Sequence, residues 1–282
     1  MLEKDLKIGF IGAGNMAEAL TGAMIKSGFF SSALICASDI SRERLDLFKD
    51  TCGIAVTDNN FKLFLESDIV ILAVKPQQLQ QVLMSISEQN EFRITKRKLV
   101  ISIAAGYPIK KIEEILYSSL DENSKEMLPV IRVMPNTPAL ALAGMSGMCI
   151  NKFATQKDTL LARKIMETSG KVIEFKEEDF DGVTALSGSG PAYVFYLIEA
   201  MIEGGIESGL DHARASILAI ETVKGAALLL EQLNESPELL RRKVTSPGGT
   251  TEAAIKVLDN ANVKQNIIKA ILAAVKRSKE LG

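Results

Sequence analysis

Apolar residues in the first part of the chain fall in short, nearly unbroken runs, separated by stretches in which they recur every three to four positions. The runs at residues 7–11, 34–38, 54–56, 69–74, 99–103, 130–134, 147–150 and 172–174 predict strands. The helical periodicity between them predicts helices over 15–27, 42–51, 61–65, 78–87, 109–116 and 156–168. Apolar strands alternating with amphipathic helices predict an α/β fold, a mainly parallel sheet with helices on both faces. Ligands of such sheets bind beyond the carboxyl ends of the strands.

From about Lys176 the pattern changes. Helical periodicity runs through 180–186, 191–208, 212–232, 237–243, 251–258 and 263–279, with no further β-branched runs. The chain therefore divides into a sheet-forming domain, 1–176, and an all-helical domain, 177–282. Some of these helices are apolar over most of their circumference, as in Tyr193-Val194-Phe195-Tyr196-Leu197-Ile198 and Ala226-Ala227-Leu228-Leu229-Leu230. Such helices need neighbours on more than one side. A helical domain of about a hundred residues supplies few of them internally, which points to a subunit interface.

The first strand leads straight into Gly12-Ala13-Gly14-Asn15-Met16-Ala17, and a helix follows. This is the G-x-G-x-x-A pattern of a Rossmann-type dinucleotide site. Gly12 allows the tight turn, Gly14 lets backbone approach a pyrophosphate, and Ala17 lets helix and strand pack closely. The phosphates then meet free N–H groups at the helix N-terminus.

Composition narrows the chemistry. The formal charge is −2 with no long run of one sign, so no nucleic-acid or membrane partner is expected. The charged start, Met1-Leu2-Glu3-Lys4-Asp5, leaves no room for a signal peptide, and the three separated cysteines read as reduced thiols of a cytoplasmic protein. A single histidine, His212, sits at a helix start and reads as an exposed first-turn residue. Catalysis here must work without an imidazole, and no metal is expected.

The second strand ends at Ser38-Asp39-Ile40-Ser41-Arg42, where an adenosine ribose would lie. Asp39 suits the 2′-hydroxyl of NADH, whereas Ser38, Ser41 and Arg42 suit the 2′-phosphate of NADPH. Asp39 or Ser41 as a helix cap, and Arg42 and Arg44 as solvated first-turn residues, are the plain alternatives. Later strand ends carry Ala73-Val74-Lys75-Pro76 and Ala104-Ala105-Gly106, whose small residues leave space for a flat nicotinamide and ribose. Lys75 either reaches the cofactor or lies at the surface. Between two prolines, Asn136 either meets the cofactor or closes a turn.

Two glycine-rich segments precede helices in the second half: Ser187-Gly188-Ser189-Gly190-Pro191-Ala192 and Ser246-Pro247-Gly248-Gly249-Thr250-Thr251. The second has backbone donors and hydroxyls suited to a small carboxylate. Its plain alternative is a capped helix start behind a flexible loop.

Taken in order, the segments 8–17, 73–76, 102–106, 134–138, 187–193 and 246–251 resemble the Δ1-pyrroline-5-carboxylate reductase family over nearly the whole length. The resemblance implies NADPH, or NADH, as cofactor and reduction of a cyclic imine in the last step of proline biosynthesis. It also implies a homodimer through the helical domain, assembled in some members into a decamer. It places Thr251 beside the imine nitrogen and the substrate carboxylate on the loop Ser246, Gly248, Gly249 and Thr250. On this reading Gly248 and Gly249 donate their N–H groups to the carboxylate. The cofactor-binding set expected is Gly12, Ala13, Gly14, Asn15, Met16, Ser38, Asp39, Arg42, Asn60, Ala73, Val74, Lys75, Pro76, Ala104, Ala105, Gly106 and Asn136. A protonated imine accepts hydride readily, so positioning alone supplies much of the catalysis, about 7–11 kcal/mol at ideal geometry. Another imine reductase, a β-hydroxyacid dehydrogenase using Lys224 or Lys243, and a non-catalytic dinucleotide sensor are the competing readings.

Overall fold

A computed structural model describes residues 5–281; the charged start at Met1-Leu2-Glu3-Lys4 lies outside them. Eight strands form one sheet: β1 (Ile8–Ile11), β2 (Ile35–Ser38), β3 (Ala55–Thr57), β4 (Ile69–Leu72), β5 (Leu99–Ser102), β6 (Val130–Met134), β7 (Gly144–Ile150) and β8 (Gly170–Glu174). Their order is β3-β2-β1-β4-β5-β6-β7-β8. Every pairing is parallel except β6 with β7. The order reverses between β1 and β4, which opens a crevice at their carboxyl ends.

The connecting helices are α1 (Asn15–Lys26), α2 (Arg42–Cys52), α3 (Asn60–Glu66), α4 (Pro76–Ser87), α5 (Ile109–Leu116), α6 (Glu122–Glu126) and α7 (Gln156–Glu167). The sheet separates two cores because neighbouring side chains of a strand point to opposite faces. Ile69 and Ile71 of β4 join Leu20, Met24, Phe48 and Ile165 of α1, α2 and α7 in one core. Val70 and Leu72 join Phe64, Leu83 and Ile112 of α3, α4 and α5 in the other. Cys36, Cys52 and Cys149 are unpaired, and burial pushes the Cys149 thiol up to about 12.

Three details differ from the sequence reading, each for a local reason. Strand β7 begins at Gly144 because Gly144-Met145-Ser146-Gly147 pairs without forming an apolar run. Helix α6, Glu122-Asn123-Ser124-Lys125-Glu126, has no apolar face; it is set by Asp121, whose carboxylate accepts the Ser124 N–H at 2.7 Å. The segment from α8 (Phe180–Val183) through the π-helical stretch Thr184–Gly188 reads as part of the helical half, yet Phe180 is buried in the second core of the sheet.

The contacts divide the chain into two compact units. One runs to Ser189 and resumes at Ala274; the other is Gly190–Ala273. The second holds α9 (Gly190–Glu207), α10 (His212–Leu233), α11 (Pro237–Lys243), α12 (Thr250–Asn260) and the start of α13 (Val263–Leu281). Within it only Ala215 and Ala219 are buried apolar residues. Helices α9 and α10 approach closely because Gly205 has no side chain; a Cβ there would lie 2.9 Å from that of Ala215. Among the described residues no helix is long and apolar enough to cross a membrane.

At the start of α7, Thr155 and Asp158 cap one another, and Arg97 pairs with the Asp158 carboxylate. Burial acts to raise this carboxyl, but its bonds to Arg97 and Thr155 outweigh burial and hold it below the usual range. The stabilisation is therefore complete above the unfolded carboxyl pKa of about 3.9 and disappears as pH falls through the lower folded value. Asp158→Ala is expected to lower the unfolding free energy by about 1–2 kcal/mol at pH 7. Urea titrations at pH 7 and pH 3 check this, since the difference from the parent must shrink on the acid side.

Candidate active site

At the carboxyl end of β1 the chain turns through Gly12, whose φ of 105° lies in the left-handed half of backbone space. A Cβ at Gly12 would lie 2.7 Å from the carbonyl carbon and oxygen of Ala73 at the end of β4. Both requirements exclude a side chain. Gly12→Ala is expected to destabilise the fold by about 1–3 kcal/mol and to weaken cofactor binding at least tenfold. Thermal unfolding and a cofactor titration check the two effects.

Gly14 is the N-cap of α1, is exposed, and has open space where a Cβ would stand. No side chain caps this helix, and the Gly14 N–H has no partner among the described residues. A twelve-residue helix thus presents free donors and the positive end of its dipole to the groove. These features fit a bound dinucleotide pyrophosphate.

The groove is about 540 Å³ in volume. Of the expected cofactor residues, Gly12, Gly14, Ser38, Asp39, Asn60, Ala73, Val74 and Lys75 line it, together with Ser41. Asn15 and Met16 follow at the open end of α1, and Pro76 starts α4. Lys75 is exposed at the N-cap of α4 and leaves its ammonium free to reach the groove. Asn60 accepts the Ser38 hydroxyl at 2.7 Å through Oδ1, which keeps its NH2 group available.

Several of the expected residues have partners of their own or lie outside the groove lining. Ala13 is fully buried and its N–H donates to Asp39 Oδ2 at 2.7 Å, so it is not a phosphate donor. Asp39 is accordingly an organiser of the loop: its Oδ1 also accepts the Ser41 N–H at 2.9 Å. Ser38 lines the groove, with its hydroxyl donating to Asn60 Oδ1 at 2.7 Å. Arg42 is exposed and follows Ser41, which lines the groove. Ala104, Ala105 and Gly106 lie outside the lining, and Gly106 instead faces Leu281 of α13. Asn136 closes a turn. Its Oδ1 accepts the Met145 N–H at 2.9 Å and its Nδ2 donates to the Ser187 carbonyl at 3.2 Å. This bond ties the proline-bracketed loop to Ser187, which lies in the π-helical stretch Thr184–Gly188 rather than in a loop.

Arg44, read from sequence as solvated, is half-buried. Its Nε donates to the Ala13 carbonyl at 2.6 Å and its NH2 group pairs with Glu18 at 2.8 Å. The bond to Ala13 spans 31 positions of sequence, and no periodicity encodes it.

In the helical unit, the Ser246-Pro247-Gly248-Gly249 turn leads into α12, whose N-cap is Gly249 with no side-chain cap. The two N–H groups expected to receive a carboxylate are already engaged. Gly248 donates to Glu252 Oε2 at 2.9 Å and Gly249 donates to the Ser246 carbonyl at 3.0 Å. The donors without a partner among the described residues are those of the first turn, Thr250, Thr251 and Glu252, and the Thr250 and Thr251 hydroxyls add to them. The loop therefore offers an anion site one step further along the chain than its glycines suggest. His212 is exposed, as its position at a helix start implies.

Comparison with known proteins bears on both halves. The family model "Pyrroline-5-carboxylate reductase dimerisation" matches residues 177–281, and "NADP oxidoreductase coenzyme F420-dependent" matches 7–106. A pyrroline-5-carboxylate reductase of Methanosarcina acetivorans is 42% identical over 99% of both chains. The Arabidopsis thaliana enzyme of that name is 37% identical over 99% of this chain and 96% of its own. Among solved structures, the Coxiella burnetii reductase superimposes with a TM-score of 0.84 at 39% identity, covering 99% of each chain. The Plasmodium falciparum enzyme with NADP bound gives 0.87 at 30% identity, again over 99% of each.

Proposed function

Since this chain belongs to the pyrroline-5-carboxylate reductase family, we propose how its residues divide the work. The enzyme is an NAD(P)H-dependent oxidoreductase that reduces the C=N bond of 1-pyrroline-5-carboxylate to proline. When bound, the nicotinamide supplies the hydride. Everything else required of the protein is binding and orientation.

The reading rests above all on two uncapped helix starts, one in each unit, with opposite ends of the chemistry to serve. The start of α1 at Gly14, with Asn15 and Met16, receives the cofactor pyrophosphate. Gly12, Asp39, Asn60, Ala73, Val74, Lys75 and Pro76 shape and line the cofactor groove. The start of α12 receives the substrate carboxylate on the N–H groups of Thr250, Thr251 and Glu252. Ser246, Gly248 and Gly249 form the turn that aims them. The Thr251 hydroxyl, with no partner among the described residues, holds the ring nitrogen. A neutral hydroxyl suffices because the imine enters the reaction already protonated.

Residues 177–282 form the substrate-binding and dimerising half and 1–176 the dinucleotide-binding half. A matching dimerisation family model accounts for the apolar faces of α9 and α10. Assembly of such homodimers into a decamer is carried over from the family resemblance. Three unpaired thiols support the cytoplasmic location.

Absorbance at 340 nm, followed with 1-pyrroline-5-carboxylate and either NADPH or NADH, tests the reading. Rapid loss of absorbance with at least one cofactor is expected; no loss with either rejects the substrate.

A further inference from the structure

The Ala13–Gly14 peptide is held on one side only. Its carbonyl accepts Arg44 Nε at 2.6 Å, whereas its N–H, that of Gly14, has no partner and belongs to the residue that lines the groove. A trans peptide is planar, so its C=O and N–H point in opposite directions, and the chain has no cis peptide bonds among the described residues. Whatever fixes the carbonyl direction fixes the N–H direction. The preceding peptide is fixed as well, through the bond from the Ala13 N–H to Asp39 at 2.7 Å.

A second observation bears on the same residue. Glu18 lies in the first turn of α1 and brings a negative charge to the helix end that faces the phosphates. Arg44 pairs with that carboxylate at 2.8 Å. The guanidinium is kept in place over the Phe48 ring, 5.6 Å from its centroid. A planar group with several donors in fixed directions can serve the carbonyl and the carboxylate together, which an ammonium cannot do in the same geometry.

We propose that Arg44 is a positioning residue for the cofactor pyrophosphate: it aims the Gly14 N–H through the Ala13–Gly14 peptide and neutralises Glu18 beside it. It touches neither phosphate. The inference rests on the groove at Gly12 and Gly14 being the dinucleotide site, and it adds a residue that the glycine pattern does not contain. Because the pyrophosphate is common to both nicotinamide cofactors, the effect of Arg44 must be the same for NADPH and NADH.

Titration of the full-length protein with NADPH and with NADH, read by cofactor fluorescence, supplies dissociation constants independent of turnover. Arg44→Ala is expected to raise both by about tenfold and by equal factors. Competition by adenosine 2′-phosphate, which has no pyrophosphate, should not change. Glu18→Gln should bind both cofactors at least as tightly as the parent, and adding it to Arg44→Ala should recover part of the loss. If Arg44→Ala folds poorly, Arg44→Lys provides the same comparison with charge retained; it too should weaken both cofactors equally. A loss confined to NADPH and adenosine 2′-phosphate would make Arg44 a direct phosphate ligand and overturn the proposal, as would unchanged constants for both cofactors. Failure of the parent protein to bind either cofactor would instead reject the dinucleotide site itself.

Discussion

Thr251→Ala lowers kcat/KM for the imine by about a hundredfold and leaves the dissociation constants of NADPH and NADH unchanged. The magnitude follows from removing one hydrogen bond to a charged group, about 1.5–3 kcal/mol. The substitution separates chemistry from folding unusually well. Thr251 lies in the first turn of α12, but the N-cap is Gly249, and the Thr251 side chain makes no bond that holds the turn. Thermal stability should therefore stay close to that of the parent. Thr251→Ser keeps the hydroxyl and should recover most of the activity. Steady-state kinetics with the imine varied, beside a cofactor titration, decides the matter. Parent-like kinetics in Thr251→Ala would remove the residue from the reaction.

The other large effect lies at the helical half. Phe195, Ile217 and Leu272 are 57%, 64% and 60% exposed in a single chain, and Leu218 is 56% exposed. With only Ala215 and Ala219 buried, the unit has almost no core of its own. Its stability must come from a partner, since burying each large apolar side chain contributes about 1.5–3 kcal/mol. Leu218→Asp places a charge on that face and leaves it unpaired if the face is covered. The expected result is loss of the dimer, accompanied by loss of the helical unit's unfolding transition and of nearly all activity. Light scattering after gel filtration reports the first, and calorimetry the second. A folded, active monomer of the parent protein at micromolar concentration would contradict this account of the helices.

Much of the architecture is written locally. Strands β1, β4 and β5 are short apolar runs because both sheet faces are buried, so each run stands out without reference to its neighbours. The helices on the sheet, such as α4 and α5, stand out for the opposite reason, their single apolar stripe. Strand β7 and helix α6 are less visible because one begins in small residues and the other is wholly polar. At the site, Gly12 is legible because its backbone demands admit no substitute, and Gly14 because the spaced glycine pattern ends in a helix start. What the sequence conceals is the traffic of hydrogen bonds between distant segments. The Ser38 hydroxyl, for example, donates to Asn60 across 22 positions of sequence. Arg44 looks like any solvated first-turn residue until its bond to Ala13 is seen. The shift of the anion site from Gly248 and Gly249 to the first turn of α12 has the same origin, since Glu252 and Ser246 take the glycine donors.

Capture of the substrate carboxylate by the uncapped start of α12 is what we propose to hold the ring imine in place for reduction. It is tested most directly by following NADPH oxidation at 340 nm with 1-pyrroline-5-carboxylate and with 1-pyrroline, which has the same ring and no carboxylate. Fast turnover of the first is expected, with a kcat/KM at least about a hundredfold lower for the second, chiefly through KM, because charge-assisted hydrogen bonds are lost. Equal kcat/KM for the two rings would contradict it.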